Sequence, residues 1–443
     1  MTTKPAPTEP YVHWFRHSAP YINAHRGKTF VLLFGGEAVN HANFHHTVHD
    51  IALLHALGIR LILVHGARPQ IDNNIRRHGL TTRFHQGVRI TPREALTCVM
   101  DAVGSVRLQI EALLSMGLAN SPMYGARIDA VSGNFITARP YGIREGIDFA
   151  LTGEVRSVDT QAILKQTENH HITILGPVGY SPSGEVFNLM AENVAVQVAL
   201  AVNADKLICL SEYEGLEEGH HLLRELIPNE VDRYLRDRPL DNELLRYLDA
   251  ARLACRGGVR RIHIVSYRRD GALLQELFTR DGSGTLITQD SYEEIREADI
   301  EDIGGLLELL RPMEEAGILV RRSREKLEHE INHFVVIERD GMIVGCAALY
   351  PLPQDHGNPC CAEIAGMAVH PDYQGAARGY ELLQFLEKKA TALGIKKLFV
   401  LTTRTAHWFI EHGFSPASVD DLPSSRAALY NLQRNSQVFS REI

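Results

Sequence analysis

The sequence predicts an α/β protein in two parts: a mainly parallel sheet covered by helices on both faces, then a smaller α+β domain. Three observations carry this prediction. From Thr29 onward, near-continuous Val/Ile/Leu runs alternate with amphipathic helices, the pattern of strands buried on both faces. After about Ser291 the pattern changes to a helix, a hairpin and separate strands, the style of a more antiparallel sheet. A chain of 443 residues is long enough for two or three domains with sizeable cores.

In chain order, the tail MTTKPAPTEP is polar and rich in Pro and Thr. It has neither the apolar core of a signal peptide nor the Arg-rich pattern of a transit peptide. Residues 11–26 place Trp14, Phe15, Tyr21 and Ile22 on a helix expected to break near Pro20. So much apolar surface calls for packing on its own domain or on another subunit.

The first domain is expected over 28–290, after a tail and helix in 1–27. TFVLLF and IRLILVHG read as strands, HTVHDIALLHALG and RPQIDNNIRRHG as helices. HHITILGPVG, DKLICLSE and GGVRRIHIVS are further strands, AENVAVQVALAVNA is a helix, and GALLQELFTRDGSGTLI closes the domain. In the second domain, 291–443, IREADIEDIGGLLELLRPMEEAG is a helix with Ile303, Leu306, Leu307 and Leu310 on one face. HFVVIERDGMIVGCAALYP is a hairpin turning at Asp340-Gly341. CAEIAGMAV and KKLFVLTT are further strands.

Composition excludes several classes. A net charge of -8 argues against nucleic acid as a bulk electrostatic partner. No apolar run approaches the roughly 18 residues that span a bilayer, so no membrane partner is expected. The 22 histidines lack metal-ligand spacing and read as mostly surface residues, so no metal is expected. The six cysteines lack CxxC spacing and fit reduced thiols in a cytoplasm.

The stretch AVHPDYQGAARGYELLQFL carries the first chemical signal. A strand runs into the small residues Gly375, Ala376 and Ala377, then Arg378 and Gly379, and a helix comes next. First-turn N–H groups lack intrahelical partners, and the helix dipole favours an anion there. Taken alone, the loop fits a tight strand-to-helix turn equally well.

Helix, hairpin, strand, VHPDYQGAARG, helix, strand and WFIEHGF in this order resemble the GCN5-related N-acetyltransferase family over about 292–443. The resemblance implies that Gln374, Gly375, Ala376, Ala377, Arg378 and Gly379 bind the pyrophosphate of acetyl-CoA. Ala377 stands where the family pattern has its first glycine, and Arg378 is expected to reach a phosphate. Met367, Ala368 and Val369 would pair with the pantetheine arm, one N–H polarising the thioester carbonyl. Glu363, four residues before Met367 and so expected on the same face, would be the general base. A free Glu titrates near about 4.3, so that role asks for burial; the alternative is an exposed strand glutamate. Phe409 stands where many members carry a tyrosine acid, leaving Thr402 or Thr403 to bind substrate or relay a proton.

FGGEAV, VHGARPQI, QGVRITP, the run from FNLMAENVA to EYEGL, and GALLQELFTRDGSGTLI resemble the amino-acid kinase family, most closely the N-acetylglutamate kinases. The chemistry looks dismantled. Leu33 stands where the kinases carry a phosphoryl-binding lysine before Gly35-Gly36. Gly66-Ala67-Arg68 replaces a GGG turn, Met190 an asparagine and Glu212 an aspartate. Arg89 is retained and reads as supporting structure.

This fusion resembles the bacterial amino-acid N-acetyltransferases of arginine biosynthesis. The likeness implies acetyl transfer from acetyl-CoA to the α-amine of L-glutamate, with L-arginine as inhibitory effector and a ring-like hexamer. Arg322 and Arg434, and more weakly Arg426, match arginines that hold the acceptor's carboxylates; each is otherwise a solvated surface residue. The effector would lie between the leading helix and ELFTRDGSGT, with Glu276 pairing its guanidinium, backbone near Gly284 binding its ammonium or carboxylate, and Tyr21 walling the site. Gly271 departs from the histidine of arginine-sensitive relatives. An active kinase and a non-catalytic arginine sensor are the competing readings.

Overall fold

The computed structural model describes residues 10–443 apart from 118–120, 220, 237, 290–292, 340–341, 353–359, 375–376, 429 and 431–435. The expected tail 1–9 and the expected hairpin turn at Asp340-Gly341 lie outside the described residues. The chain divides into two compact units after residue 290.

In the front unit, α1 (Pro10–His25) precedes β1 (Thr29–Phe34), α2 (Phe44–Ala56), β2 (Arg60–His65), α3 (Arg68–Arg77) and α4 (Arg93–Leu114). Then come β3 (Ile172–Leu175), α5 (Ala191–Ala201), β4 (Lys206–Ser211), α6 (Glu243–Arg256), β5 (Arg261–Ser266), α7 (Ala272–Phe278) and β6 (Thr285–Thr288). The sheet order is Glu225–Leu226, β6, β5, β4, β1, β2, β3, Ala130–Val131. Every pairing is parallel except β5 with β6. Strand alternation splits β1 between two cores. Phe30, Leu32 and Phe34 pack with α2, α3, α4 and α7, whereas Val31 and Leu33 pack with α5 and α6. Burial on both faces is why these strands read as unbroken apolar runs.

Two expectations change here. Helix α1 runs continuously through Pro20. Proline removes one intrahelical hydrogen bond, and the second half of α1 is held by the core. Ser18 is buried, Tyr21 and Ile22 pack on the apolar cluster, and His25 Nε2 lies 2.8 Å from the Leu277 carbonyl of α7. Tyr11, Trp14 and Phe15 at the other end are exposed. The surface reading of the histidines fails for His25, His65 and His263, all buried.

In the second unit, β7 (Glu293–Glu297), α8 (Ile303–Glu315), α9 (Arg324–Glu330), β8 (Phe334–Arg339), β9 (Met342–Leu352) and β10 (Cys361–Val369) come first. They are succeeded by α10 (Arg378–Ala392), β11 (Lys397–Thr402), α11 (Ala406–Glu411), β12 (Ser415–Ala417), α12 (Ser424–Ala427) and β13 (Gln437–Glu442). The sheet order is β7, β8, β9, β10, β11, β13, β12, with β10 and β11 parallel and the other pairs antiparallel. Val335 and Ile337 of β8 pack under α10, while Phe334 and Val336 pack under α8. Among the described residues no helix is long and apolar enough to cross a membrane.

Candidate active site

The site grows from β10. Up to Ile364 its side chains alternate regularly, with Ala362 and Ile364 packed beneath α10. At Gly366 the backbone turns left-handed, with φ +62°, and the ladder with β9 slips: Ala348 pairs with Ala365, but Cys346 pairs with Ala368. A β-bulge inserts one residue and reverses the facing of the strand beyond it. Met367 and Val369 therefore join the α10 face, while Glu363 faces the opposite side with its ladder partners Tyr350 and Phe399. The expected shared face of Glu363 and Met367 is corrected, because strict alternation holds only in an unbroken strand.

The bulge adjoins a split in the sheet. The described β10–β11 ladder ends at Ile364 and Val400, although β10 runs on to Val369 and β11 to Thr402. Strand edges that diverge this way accept an extended chain by backbone hydrogen bonding.

Glu363 is buried and meets Arg426 of α12 through both oxygens: Nε donates to Oε2, and Nη2 donates to Oε1 at 3.0 Å. The carboxylate raises the Arg426 pKa, mainly through this hydrogen bond. Arg426 is thus the partner of the candidate base, not a free fork. The guanidinium of Arg322 lies beside the bulge, where a Cβ on Gly366 would stand 3.6 Å from its Nη2. Arg434 lies outside the described residues.

Gly375 and Ala376 of the small-residue loop also lie outside the described residues. Gln374 Nε2 donates to the Val369 carbonyl at 3.1 Å, tying the loop to the end of β10. Ala377 caps α10 in the left-handed region, with φ +60° and ψ 1°. Arg378 departs from the phosphate expectation: its Nε donates to Glu293 at 2.8 Å and its Nη1 to the Tyr373 carbonyl at 2.8 Å. Gly379 is a packing glycine, since a Cβ there would sit 3.2 Å from the Trp408 ring.

The two threonines separate. Thr402 is buried in the turn into α11, sharing a 2.8 Å hydrogen bond with the Thr405 hydroxyl and accepting from the Thr405 N–H at 3.1 Å. Its hydroxyl is spent on that turn, whereas Thr403 is exposed. Phe409 is buried in the α10-side core.

The front unit keeps a cleft of about 60 Å³ lined by Gly35, Gly36, Arg68, Arg89, Glu192 and Glu243 among others. Leu33 is absent from that lining and lies fully buried in the apolar cluster with Val64, Leu175 and Leu189. Arg89 Nη1 donates to Asp72 at 2.6 Å. Burial pushes Glu243 up to about 7, and its Oε1 has no hydrogen-bond partner. Among the described residues no group of three His, Cys, Asp or Glu has metal-ligand geometry.

On α7, Glu276 is buried and its carboxylate is occupied by His263 and by the loop that follows the helix. Its Oε1 lies 2.6 Å from His263 Nδ1, and its Oε2 accepts from the Ser283 N–H and from the Gly284 N–H at 2.8 Å. Burial works to raise its pKa, but His263 and the two amides outweigh it and hold the group near about 2. Gly284 leaves no room for a side chain, since a Cβ would stand 2.0 Å from the Ile264 carbonyl oxygen. Tyr21 lines the same core edge, with its ring 6.4 Å from that of His25. Gly271, at φ +71°, starts α7 in the left-handed region that favours glycine.

The described geometry names residues that sequence reading missed. Tyr350 stands opposite Glu363 in the ladder, and its hydroxyl donates to Glu330 Oε2 at 2.7 Å. Glu293 and Trp408 shape the start of α10. These contacts depend on strand register, which composition does not reveal.

Residues 28–266 match the amino acid kinase family, and residues 303–414 match the acetyltransferase (GNAT) family. An amino-acid acetyltransferase of Azotobacter vinelandii is 56% identical over 434 residues, covering 98% of this chain and 99% of that protein. One from Pseudomonas aeruginosa is 53% identical over the same coverage. The crystal structure of N-acetylglutamate synthase from Neisseria gonorrhoeae, complexed with coenzyme A and L-arginine, is similar with a TM-score of 0.86 and 37% identity over 98% of this chain and 100% of that one. The same enzyme complexed with coenzyme A and N-acetyl-glutamate gives a TM-score of 0.62 at 37% identity, over 98% of this chain and 99% of that one. A likeness of this depth along nearly the whole length places the chain in the amino-acid acetyltransferase family, with a kinase-like unit preceding an acetyltransferase unit.

Proposed function

We propose that the chain transfers the acetyl group of acetyl-CoA to the α-amine of L-glutamate, releasing coenzyme A and N-acetyl-L-glutamate, and that L-arginine inhibits it through the front unit. The observation that carries this reading is the juxtaposition on β10. A buried glutamate, a left-handed bulge and an arginine beside that bulge adjoin a sheet that splits open. The ligands of the gonococcal relative, coenzyme A with L-arginine or with N-acetyl-glutamate, support the same chemistry.

The split between β10 and β11 and the N-terminus of α10 would hold the cofactor, whose thioester supplies the activated acetyl group. Met367, Ala368 and Val369 offer backbone to the pantetheine arm, and an N–H at the bulge stabilises the developing oxyanion. Glu363, held by Arg426, takes the proton that the acceptor ammonium must lose, directly or through one water. Arg322 and Arg434 grip the acceptor carboxylates as bidentate forks. Glu276 fixes the loop carrying Gly284, next to the core edge where Tyr21 packs, and so shapes the proposed arginine site. The reading extends to a cytoplasmic, ring-like hexamer, supported by the exposed Tyr11, Trp14 and Phe15 of α1.

Release of free thiol from acetyl-CoA is the test, measured with glutamate present or omitted and with arginine titrated. Glutamate-dependent release that arginine suppresses is expected. Release that ignores glutamate, or phosphoryl transfer from ATP to N-acetylglutamate, defeats the reading.

A further inference from the structure

We infer that Glu293 is a positioning residue of the cofactor site: it pins the Arg378 side chain, which staples together the two flanks of the small-residue loop at the start of α10. This rests on the proposed use of acetyl-CoA, in which the N-terminus of α10 receives the cofactor's diphosphate.

The geometry is a bridge of three side chains. Arg378, the first residue of α10, reaches backward, and its Nη1 donates at 2.8 Å to the carbonyl of Tyr373, five positions earlier. One guanidinium thereby ties the turn that leaves β10 to the helix that follows the loop. Its remaining nitrogens meet Glu293 of β7, Nε donating to Oε2 at 2.8 Å and Nη2 to Oε1 at 2.5 Å. A planar fork on a carboxylate fixes direction as well as distance. Oε1 also accepts from Arg339 Nη1 of β8 at 2.9 Å, so the carboxylate is braced against the sheet while it holds the helix. The buried Tyr373 ring adjoins both guanidiniums, each Cζ 5.5 Å from its centroid. Burial works to raise the Glu293 pKa, but the two arginines outweigh it, so the group stays ionised at neutral pH.

All three Arg378 nitrogens are engaged, so this residue serves a diphosphate through the backbone that it fixes. First-turn N–H groups hold an anion best when their spacing is set before it arrives; backbone that must be ordered on binding gives up part of the contact energy. Losing Glu293 has two opposed effects. A loosened staple weakens cofactor binding, whereas an uncompensated guanidinium beside the helix start attracts phosphate. The second effect is screened beyond about 8 Å at physiological ionic strength, so loosening should prevail there. The acceptor and the chemical step should be indifferent, because β7 stands three strands from β10 in the sheet.

The test is Glu293→Gln in the full chain, at physiological ionic strength, read by calorimetric titration with coenzyme A and by steady-state kinetics. The Kd for coenzyme A and the KM for acetyl-CoA should rise about tenfold, the equivalent of about 1.4 kcal/mol. The kcat and the KM for L-glutamate should stay within about twofold, a split that a general folding defect would not produce. Combined with Arg378→Gln, Glu293→Gln should add little, because both act through one staple. An unchanged cofactor KM overturns the inference. So does a lowered one, the result of a guanidinium set free to reach phosphate, and so does a penalty that adds in full to that of Arg378→Gln. Should Glu293→Gln fail to fold, Arg378→Lys decides, since it keeps the charge and loses the fork: a raised Kd for coenzyme A with kcat preserved supports the staple, and an unchanged Kd overturns it. A parent protein that binds coenzyme A without acetylating glutamate overturns the proposed function alone, and the titration still decides Glu293. A parent that binds no coenzyme A overturns both.

Discussion

Arg426 grips Glu363 through both carboxylate oxygens, reaching from a four-residue helix to the middle of β10. This pair fixes the buried carboxylate on the strand face beside the bulge, and each partner can be altered separately.

Glu363→Gln keeps the shape and removes the basicity. The expected outcome is a kcat lowered about 100-fold or more, the usual weight of a positioned general base, with the KM for acetyl-CoA nearly unchanged. An undiminished kcat at neutral pH removes Glu363 from the proton path.

Arg426→Lys exchanges a fork for a point charge. If Arg426 serves by holding Glu363, kcat falls about tenfold while the glutamate KM moves less than about twofold. A large rise in glutamate KM with kcat preserved would make Arg426 an acceptor ligand instead. The two parameters, measured on one preparation, separate the roles.

Ala377 caps α10 with φ +60°. For a residue with a Cβ this region costs roughly 1–2 kcal/mol, and glycine enters it freely, at the expense of a more mobile unfolded chain. Ala377→Gly should therefore stabilise the second unit, by about 0.5–1 kcal/mol after that offset. A raised melting temperature checks it, and a lowered one shows that the left-handed backbone is not strained.

His65 makes stability depend on pH. Burial pushes its pKa down to about 4, and its Nε2 has no hydrogen-bond partner. In the unfolded chain a histidine titrates near about 6.5. The unfolded state thus binds the extra proton first, so this contribution is complete above about pH 6.5 and is lost as pH falls toward about 4. His25 and His263, both lowered to about 4 by burial first and Lys206 second, act in the same sense. Asp50 and Glu243, raised to about 7 mainly by burial, act oppositely. His65→Asn should consequently lose less melting temperature between pH 6.5 and 4 than the parent. Equal losses would mean that His65 does not titrate on unfolding.

Much of the fold was legible because period-2 and period-3.6 patterns report burial directly. TFVLLF reads as a strand buried on both faces, and its five apolar residues divide between two cores. Glu363 was legible as a strand carboxylate, but its facing was not. Parity along β10 turns on the bulge at Gly366, and a bulge depends on the partner strand. Arg378 looked like a phosphate ligand beside its loop, yet Glu293, 85 positions earlier, takes its guanidinium. Tyr350 gave no signal, because its meaning comes from pairing with Glu363 and from helix α9. Pro20 misled in the other direction: tertiary contacts of Ser18, Ile22 and His25 outweigh the one backbone bond that proline forfeits.

Leu33 bears on what chemistry the front unit can admit beside its glycine turn. It sits without solvent contact in apolar surroundings, at the place where the kinase pattern expects a lysine. A single reversion would strand an ammonium there, and an unpaired buried charge costs several kcal/mol. Leu33→Lys alone should therefore destabilise the front unit rather than supply a phosphoryl-binding charge. Burial at Leu33 thus works as a lock: a charged side chain can occupy this strand position only together with changes that hydrate or pair it.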